Sequence, residues 1–211
     1  NAFEKGSGIL VARSGKRVIS ENASNNAIKG VELKQPDSKL FILMDQKSFD
    51  LFKQGLSIGG ITSQEIDKWI AADGKGTPQL VKADTIEAAA AKVGVDGKAL
   101  AQEAKAYNGF VKAGKDSAFN RPQRFMNAPI ASEGPYYIIE QQPRFATTMG
   151  GVVTDEHFNV ISTSGKPIKG LFAAGELVGG SMGDDSPPGG NMGWAVTSGK
   201  LAAEGAAASL K

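Results

Sequence analysis

The stretch that decides the fold is Pro167-Ile168-Lys169-Gly170-Leu171-Phe172-Ala173-Ala174-Gly175-Glu176, and Gly189-Gly190-Asn191-Met192 follows it. Its apolar residues predict a short strand that ends in small side chains, so the backbone there can lie close to a bound molecule. Glu176 follows the carboxyl end of that strand, where ligands lie in open α/β sheets. The second stretch opens the last predicted helix, whose N–H groups and positive dipole end favour electron density on a ligand. The two stretches together predict a ligand site between a strand end and a helix N-terminus.

Composition excludes several classes of protein. The 211 residues carry 24 basic and 22 acidic side chains, so the net charge of +2 gives no reason to expect a nucleic-acid partner. The chain has no cysteine and a single histidine, His157, which excludes disulfides, thiolate metal sites and two-histidine metal sites. His157 is expected in an exposed polar turn, and no metal site is predicted.

The apolar runs and the first residue of the chain give information on membrane insertion and on the extent of the polypeptide. No apolar run approaches the roughly 20 residues that span a bilayer, so no integral membrane segment is expected. The chain opens with Asn1 rather than Met, and we therefore expect a piece of a longer protein. Nothing in the sequence assigns a cellular compartment.

Helices and short strands alternate in the predicted secondary structure. Ser14-Gly15 predicts the turn of a β-hairpin over residues 8–19, and the apolar run 40–44 predicts a buried strand. Further strands are predicted at 136–141 and 149–155. Four helices are predicted to begin after the N-cap residues Asp45, Thr62, Thr85 and Asp96. Composition predicts an insertion at about 25–135 between two flanks of one domain.

The combined motifs resemble a known family. Residues 148–152, 167–176, 189–192 and 198–200 resemble the C-terminal third of the fumarate reductase/succinate dehydrogenase flavoprotein family, particularly its soluble flavocytochrome c type. More weakly, residues 15–22 resemble that family's G-x-R-F-x-N-E segment, 40–110 its mobile capping (clamp) domain, and 134–140 the strand that leads back to the flavin.

The resemblance implies a fold and a domain division. The fold is α+β or α/β, the C-terminal part of an FAD-binding domain with an inserted mobile α+β capping domain. Residues 1–24 and 136–211 would belong to the FAD-binding domain, and 25–135 would form the capping domain.

The resemblance also implies a cofactor and a reaction. The cofactor is FAD, whose N5 gives a hydride to the β-carbon of an α,β-unsaturated acid. Electrons would come from a haem, FMN or NADH-linked donor. The G-x-G-x-x-G loop that holds the FAD pyrophosphate would lie in an upstream half of the polypeptide, so this piece alone should bind FAD poorly or not at all. The residues predicted to contact FAD are Met149, Gly150, Ala174, Gly175, Glu176, Gly189, Gly190, Asn191 and Met192.

Several substrate residues of the family are replaced. Thr147 stands where fumarate-specific members have a carboxylate-binding His, and Pro187 stands where they have an Arg. Because charge-assisted pairs to carboxylates are strong, and Asp184 and Asp185 add negative charge, we expect a substrate other than a C4 dicarboxylate.

The proton donor must also differ from that of the family. Residues 46–49 match the stretch that carries the family's proton-donating Arg, and they contain Lys47 instead. Glu21 matches the family's relay carboxylate, but Ser24 stands where the relay Arg would be. The candidate catalytic residues are Arg144 (the first choice for restoring a positive charge), Thr147, Lys47 and Glu21, with Arg121, Arg124 and Tyr136 as further donors by position.

Two alternatives remain open at this level. A flavin dehydrogenase of the ketosteroid type would carry the same motifs and run the reaction in the opposite direction. A non-catalytic module that keeps the scaffold and binds a partner through the cap would explain the missing Arg and His.

Overall fold

The computed structural model describes residues 2–143, 148–183 and 189–210. The chain divides into two compact units, unit 1 (Asn1–Pro143) and unit 2 (Arg144–Lys211). Each unit is described by itself.

A four-stranded antiparallel sheet is the centre of unit 1. Its strands are β1 (Ile9–Val11), β2 (Leu40–Asp45), β3 (Leu80–Ala83) and β4 (Tyr136–Gln141), in the spatial order β1-β2-β4-β3. Every residue of β1 and β2 is buried. Both faces of these strands are therefore covered, which explains why residues 40–44 form a continuous apolar run.

Helices cover both faces of this sheet. Phe41 and Leu43 lie in one core, which includes residues of helices α4 and α5, whereas Ile42 and Met44 lie in a second core against α2 and α3. This division follows from the alternation of side chains along a strand. The helices are α1 (Asn25–Glu32), α2 (Gln46–Ile58), α3 (Ser63–Ala71), α4 (Ile86–Lys92) and α5 (Gly97–Ala113), with a 3-10 turn at Gln123–Phe125.

The predicted helix starts are confirmed. Asp45, Thr62, Thr85 and Asp96 each accept a hydrogen bond from a backbone N–H in the first turn of the helix that follows. Thr62 and Glu65 form the predicted capping box, in which each side chain binds the backbone N–H of the other residue. Local sequence therefore determines where these helices begin.

The predicted hairpin over 8–19 is wrong in its pairing. The turn forms, with the Ala12 N–H donating to the Lys16 carbonyl at 2.9 Å, but strand pairing stops at a single bridge between Val11 and Arg17. β1 pairs with β2 instead, Ile9 opposite Leu43. The reason is that β2 is a longer apolar strand with which β1 can pair. Arg17, on the other side of the predicted turn, instead forms buried ion pairs with Glu21 and Asp116.

Unit 2 has less secondary structure. β5 (Asn159–Ile161) and β6 (Pro167–Phe172) form an antiparallel pair, followed by a 3-10 turn at Gly175–Leu177 and helix α6 (Gly190–Ala208). The strand predicted at 149–155 is reduced to two isolated bridges, Val152 with Val178 and Thr154 with Val160. The small core consists of Val160, Ala173 and Val178, with Val152 and Trp194 packed against it.

The compact units divide the chain differently from the domains predicted with boundaries at 24/25 and 135/136, which stay a prediction. β1 and β4, which the prediction placed in the flanking domain, lie in the same sheet as β2 and β3 of the predicted insertion. The division between units falls at 143/144 instead. Strand pairing across residues far apart in sequence is the reason, since composition carries no signal for it. Within the described part of the chain, no helix is long and apolar enough to cross a membrane.

Candidate functional site

The loop after β6 is fastened to helix α6 by hydrogen bonds. The Gly175 N–H donates to Ser198 Oγ at 2.8 Å, and the Trp194 Nε1–H donates to the Gly175 carbonyl at 2.9 Å. Ser198 is fully buried. Gly175 has φ +71°, a conformation in which other residues are strained. These contacts fix the strand end relative to the start of the last helix.

The segment around Gly151 packs backbone to backbone against residues 177–179. The Val152 N–H donates to the Leu177 carbonyl at 2.9 Å, and the Gly179 N–H donates to the Val152 carbonyl at 3.1 Å. A Cβ at position 151 would lie 2.2 Å from the Leu177 oxygen. Glycine is therefore required there for the two segments to approach so closely.

Predicted cofactor residues from three separate stretches meet in unit 2. Met149, Glu176 and Asn191 line one small pocket together with Trp194. Gly150, Gly189 and Met192 are exposed, and a Cβ at Gly150 or Gly189 would meet no atom within 4 Å. Ala174, Gly175 and Gly190 are partly buried. The structure thus brings three of the predicted residues, Met149, Glu176 and Asn191, together in one pocket.

The start of α6 fits an electron-rich ligand edge. Its N-cap, Gly189, has φ +81° and supplies no side-chain hydrogen bond to the first turn. The first N–H groups of a helix have no partner within the helix, and the dipole there favours negative charge. A helix start and a carboxylate are groups that could hold an electron-rich ring edge and the hydroxyls of a ribityl chain.

Several predicted substrate residues lie outside the described residues. They are Arg144, Thr147, Asp184, Asp185 and Pro187. Their proposed roles rest on the sequence.

Lys47 is placed at a pocket of unit 1. It is exposed at the start of α2 and lines an open pocket of about 670 Å³, together with Ser7, Asp45 and Ser48. This pocket lies where β2 ends, the position predicted for the proton donor.

Glu21 is enclosed in a buried ion cluster. Its carboxylate accepts hydrogen bonds from Arg17 Nε and Nη2, both at 2.7 Å, and lies 3.4 Å from Arg121 Nη1. Arg17 Nη2 also donates to Asp116 at 2.9 Å, and all four side chains are fully buried. Glu21 is not among the described residues that line the pocket of unit 1. Its surroundings favour a structural role over proton transfer.

Hydrogen bonds within the cluster favour the charged forms of Arg17 and Asp116. Burial alone would lower the pKa of Arg17, but hydrogen bonds and charge from Glu21 and Asp116 outweigh it and raise that pKa. Burial would raise the pKa of Asp116, but hydrogen bonds with Arg17 and the backbone lower it below the usual range. Burial raises the pKa of Tyr107, whose ring lies against both arginines. Two cations face two anions, so the cluster is electrically balanced.

The remaining candidate proton donors differ in whether their side chains are already engaged in hydrogen bonds within the protein. Arg121 donates to the carbonyls of Gly8 and Phe3, at 2.9 and 2.6 Å, so its guanidinium holds the N-terminal segment. Tyr136 donates to the Ala131 carbonyl at 2.8 Å. Arg124 is exposed, and so is His157, as predicted for a polar turn.

A group of hydroxyls beside Asp45 escaped the sequence analysis. Ser7 Oγ donates to Asp45 Oδ2 at 2.8 Å and lies 2.8 Å from Ser48 Oγ. Burial would raise the pKa of Asp45, but hydrogen bonds from Ser48, Ser7 and the Ala131 N–H lower it below the usual range. Asp45 could be recognised as an N-cap, but Ser7 is 38 residues away in sequence and carried no signal.

Comparison with known proteins identifies relatives of this chain. The model of the family described as FAD binding domain matches residues 1–192. A fumarate reductase (cytochrome) of Shewanella frigidimarina is 36% identical over 201 residues, covering 94% of this chain and 32% of the relative. The urocanate reductase of Eggerthella lenta is 31% identical over 175 residues, covering 83% of this chain and 27% of the relative.

A solved structure agrees as well. The open conformation of a flavocytochrome c3 fumarate reductase superposes with a TM-score of 0.72 and 30% identity, covering 96% of this chain and 33% of that one. Fold and sequence together define part of an FAD-binding flavoprotein. The chain belongs to the fumarate reductase/succinate dehydrogenase flavoprotein family. FAD is therefore the cofactor of the domain to which this chain contributes, and the chain spans about a third of the length of these relatives.

Proposed function

We propose that this chain is part of an FAD-dependent enzyme that reduces the C=C bond of an α,β-unsaturated acid other than a C4 dicarboxylate. The observation that carries the proposal is the meeting of Met149, Glu176 and Asn191 in one pocket at the start of α6. When bound, FAD supplies a hydride from N5. A haem, FMN or NADH-linked donor replenishes the electrons.

The residues of unit 2 would bind and orient the flavin. The N–H groups at the start of α6 would stabilise negative charge on the reduced ring, and Glu176 would accept hydrogen bonds from ribityl hydroxyls. The close packing of Gly151 against Leu177 would keep these groups in place. This role requires donors and acceptors in fixed positions, which the hydrogen bonds of Gly175 to α6 support.

Domain roles follow from the two compact units. We assign unit 1 to the capping domain and unit 2 to the FAD-binding domain, which moves the predicted boundaries to 143/144. β1 and β4 complete the sheet of unit 1, so the capping domain would include the segments that flank the predicted insertion.

An upstream part of the polypeptide would complete the FAD-binding domain. Unit 2 exposes large apolar side chains on β6 and α6, with Met192 72% and Val196 68% exposed. Exposed apolar surface of this kind marks a contact with another part of a protein. The occupant in this proposal is the preceding polypeptide, which would also carry the pyrophosphate-binding loop.

The substrate and proton donor are proposed from residue chemistry. Thr147 and Pro187 lack the charge that binds a second carboxylate, which favours a substrate with one carboxylate or none. The relative named urocanate reductase supports reduction of an unsaturated acid that is not fumarate. For the proton, Arg144 remains the first choice and Lys47 the second, because Lys47 is exposed and lines a pocket.

The test uses the longer polypeptide that includes the upstream part, loaded with FAD and chemically reduced. Reoxidation of the flavin is followed by absorbance with acrylate, cinnamate, urocanate and fumarate. We expect a monocarboxylate to reoxidise the flavin faster than fumarate does. Fastest reoxidation by fumarate would contradict the substrate class, and no reoxidation by any of these acids would favour a binding module.

The proton donor is tested in the same assay. Lys47→Met should slow reoxidation about 100-fold if Lys47 donates the proton, and Lys98→Met, at an exposed position of α5, is the matched control. An unchanged rate in Lys47→Met would leave Arg144 as the donor of this proposal.

A further inference from the structure

We propose that Asn108 is a positioning residue for the pocket that Lys47 lines, because it holds one wall of that pocket and so sets how tightly a substrate binds. The pocket, of about 670 Å³, lies where β2 ends and α2 begins. Asn108 lies in α5 and is not among the described residues that line the pocket. This role rests on the proposed function, since it takes the pocket as one that the unsaturated acid reaches. It is the same whether Lys47 or Arg144 donates the proton.

Three segments of unit 1 form the walls of the pocket. The first is the end of β2 with the start of α2, both regular secondary structure. The second is the pair Gly6 and Ser7. The third is the loop 127–135, whose lining residues are Ala128, Pro129, Ala131 and Glu133. Because the second and third walls are not in a helix or a strand, other contacts must fix their positions.

Side chains hold the loop 127–135 in place of backbone pairing. Among the described residues, no backbone–backbone hydrogen bond involves this loop. Asn108 instead binds both backbone groups of one loop residue. The Ile130 N–H donates to Asn108 Oδ1 at 2.7 Å, and Asn108 Nδ2 donates to the Ile130 carbonyl at 2.9 Å. An amide side chain that pairs with a backbone in this way replaces the partner that a neighbouring strand would provide.

Ile130 separates the pocket wall from the core. Its side chain is 2% exposed and belongs to the core cluster beneath the sheet of unit 1. Its neighbours Pro129 and Ala131 line the pocket. Asn108 therefore fixes the residue between two pocket-lining neighbours, and losing its contact would free both to move.

The loop is supported unequally on the two sides of this contact. On the C-terminal side, the Ala131 N–H donates to Asp45 Oδ2 at 3.1 Å, and the Tyr136 hydroxyl donates to the Ala131 carbonyl at 2.8 Å. On the N-terminal side, residues 128–129 line the pocket and form no hydrogen bond with any described residue. This part of the wall depends most on Asn108 for its position.

The wall formed by Gly6 and Ser7 is held separately. Arg121 donates to the carbonyls of Phe3 and Gly8, on either side of that pair. One hydrogen bond links this segment to the loop, from Asn127 Nδ2 to the Glu4 carbonyl at 2.7 Å, but it is exposed and water can replace it. Loss of Asn108 should therefore displace one wall and leave the opposite wall in place.

A wall of this kind affects binding more than chemistry. Contacts that a substrate makes equally before and during the reaction change the concentration that half-saturates the enzyme, and they leave the limiting rate unchanged. Lys47 lies in α2, on a different wall from the loop that Asn108 holds. Its distance from a bound substrate is thus set by another part of unit 1.

The first test measures both quantities in the longer polypeptide loaded with FAD and chemically reduced. Flavin reoxidation is followed against the concentration of the acid that reacts fastest among acrylate, cinnamate, urocanate and fumarate. Asn108→Ala should raise the half-saturating concentration about tenfold and change the limiting rate less than about twofold. Gln102→Ala, at an exposed position of the same helix, is the matched control and should change neither.

A second variant covers the case in which Asn108→Ala does not fold. Asn108→Asp has the same size and keeps the acceptor for the Ile130 N–H, but it loses the donor to the Ile130 carbonyl. Its half-saturating concentration should also rise, with the limiting rate kept. An unchanged half-saturating concentration in the folded variants, or a fall in the limiting rate alone, would overturn the proposal.

The second test needs neither flavin nor substrate. Amide hydrogen exchange is measured on the 15N-labelled 211-residue chain and its variants. In Asn108→Ala and Asn108→Asp the Ile130 amide should exchange faster, by about tenfold in the alanine variant, while the Leu43 amide in the buried strand β2 keeps its rate. An unchanged Ile130 rate would overturn the proposal. If no acid reoxidises the flavin, the proposed function fails, and this exchange measurement still decides whether Asn108 holds the wall.

Discussion

Gly151 and Gly179 show how single residues determine the geometry of unit 2. A Cβ at position 151 would lie 2.2 Å from the Leu177 oxygen and 2.7 Å from the Gly179 nitrogen, both backbone atoms. Gly151→Ala should therefore destabilise unit 2 by about 1–3 kcal/mol, the usual cost of forcing extra atoms into a packed region. Urea unfolding measures this difference, and hydrogen exchange of the Gly179 amide should become faster.

The neighbouring glycine is the matched control. A Cβ at Gly150 would meet no atom within 4 Å, so Gly150→Ala should leave the unfolding free energy nearly unchanged. Equal losses of stability in both variants would show that the close approach of these segments is not what requires glycine.

Glu21 is the residue for which family resemblance and surroundings diverge most. Glu21→Gln would leave Arg17 and Arg121 facing Asp116 alone in a fully buried cluster. We expect a loss of about 3 kcal/mol in the free energy of unfolding, as for other buried ion pairs that lose one partner. Asp73→Asn, which breaks an ion pair to Lys92 with both side chains more than a third exposed, should cost less than about 1 kcal/mol.

The same variant separates the two roles of Glu21. With a structural role, the longer flavoprotein carrying Glu21→Gln should keep its turnover per folded molecule. A large loss of turnover in a variant of unchanged stability would restore Glu21 as a proton-relay residue. The sequence could not reveal this environment, because Asp116 lies 99 residues from Arg17 and reaches it only in the folded unit.

Asp45 links helix α2 to the acid stability of unit 1. Its pKa is lowered in the folded state, so the stabilisation it gives is present above the unfolded pKa, near 3.9, and is lost as pH falls through the folded pKa. Asp45→Asn should be less stable than the natural chain at pH 6, and this difference should shrink below about pH 4. Urea unfolding at pH 6, 4 and 3 measures it. A difference that stays constant with pH would show that the charge of Asp45 is not involved.

At the scale of elements, local signals were sufficient for helix starts and insufficient for pairing. The four N-caps were predictable because a cap and its first turn are adjacent in sequence. Helix α1 (Asn25–Glu32) was missed in a polar stretch, although Ser24 caps it. The hairpin was wrong because the competing partner of β1, strand β2, lies 29 residues beyond it. The β-propensity of a segment depends on its local sequence and does not indicate with which distant strand it pairs.

At the scale of the whole molecule, the sequence motifs predicted the family, the cofactor and the position of the ligand pocket better than the sequence predicted long-range strand pairing. The resemblance predicted the family and FAD, and both are confirmed. The meeting of Met149, Glu176 and Asn191 could be anticipated because small residues and a helix start mark a ligand site locally. The pairing of β4 with β2 could not, because these strands lie more than 90 residues apart in sequence.

The central claim is that the start of α6 and Glu176 hold the flavin, and its redox potential tests this most directly. In the FAD-loaded longer polypeptide, Asn191→Asp would place a negative charge at the helix start, beside the proposed site of the reduced ring. We expect the potential to fall by tens of millivolts, because a nearby charge disfavours the anionic reduced form. Gln102→Glu, which adds the same charge at an exposed position of α5, should leave it unchanged. Equal potentials in Asn191→Asp and the natural protein would contradict the claim.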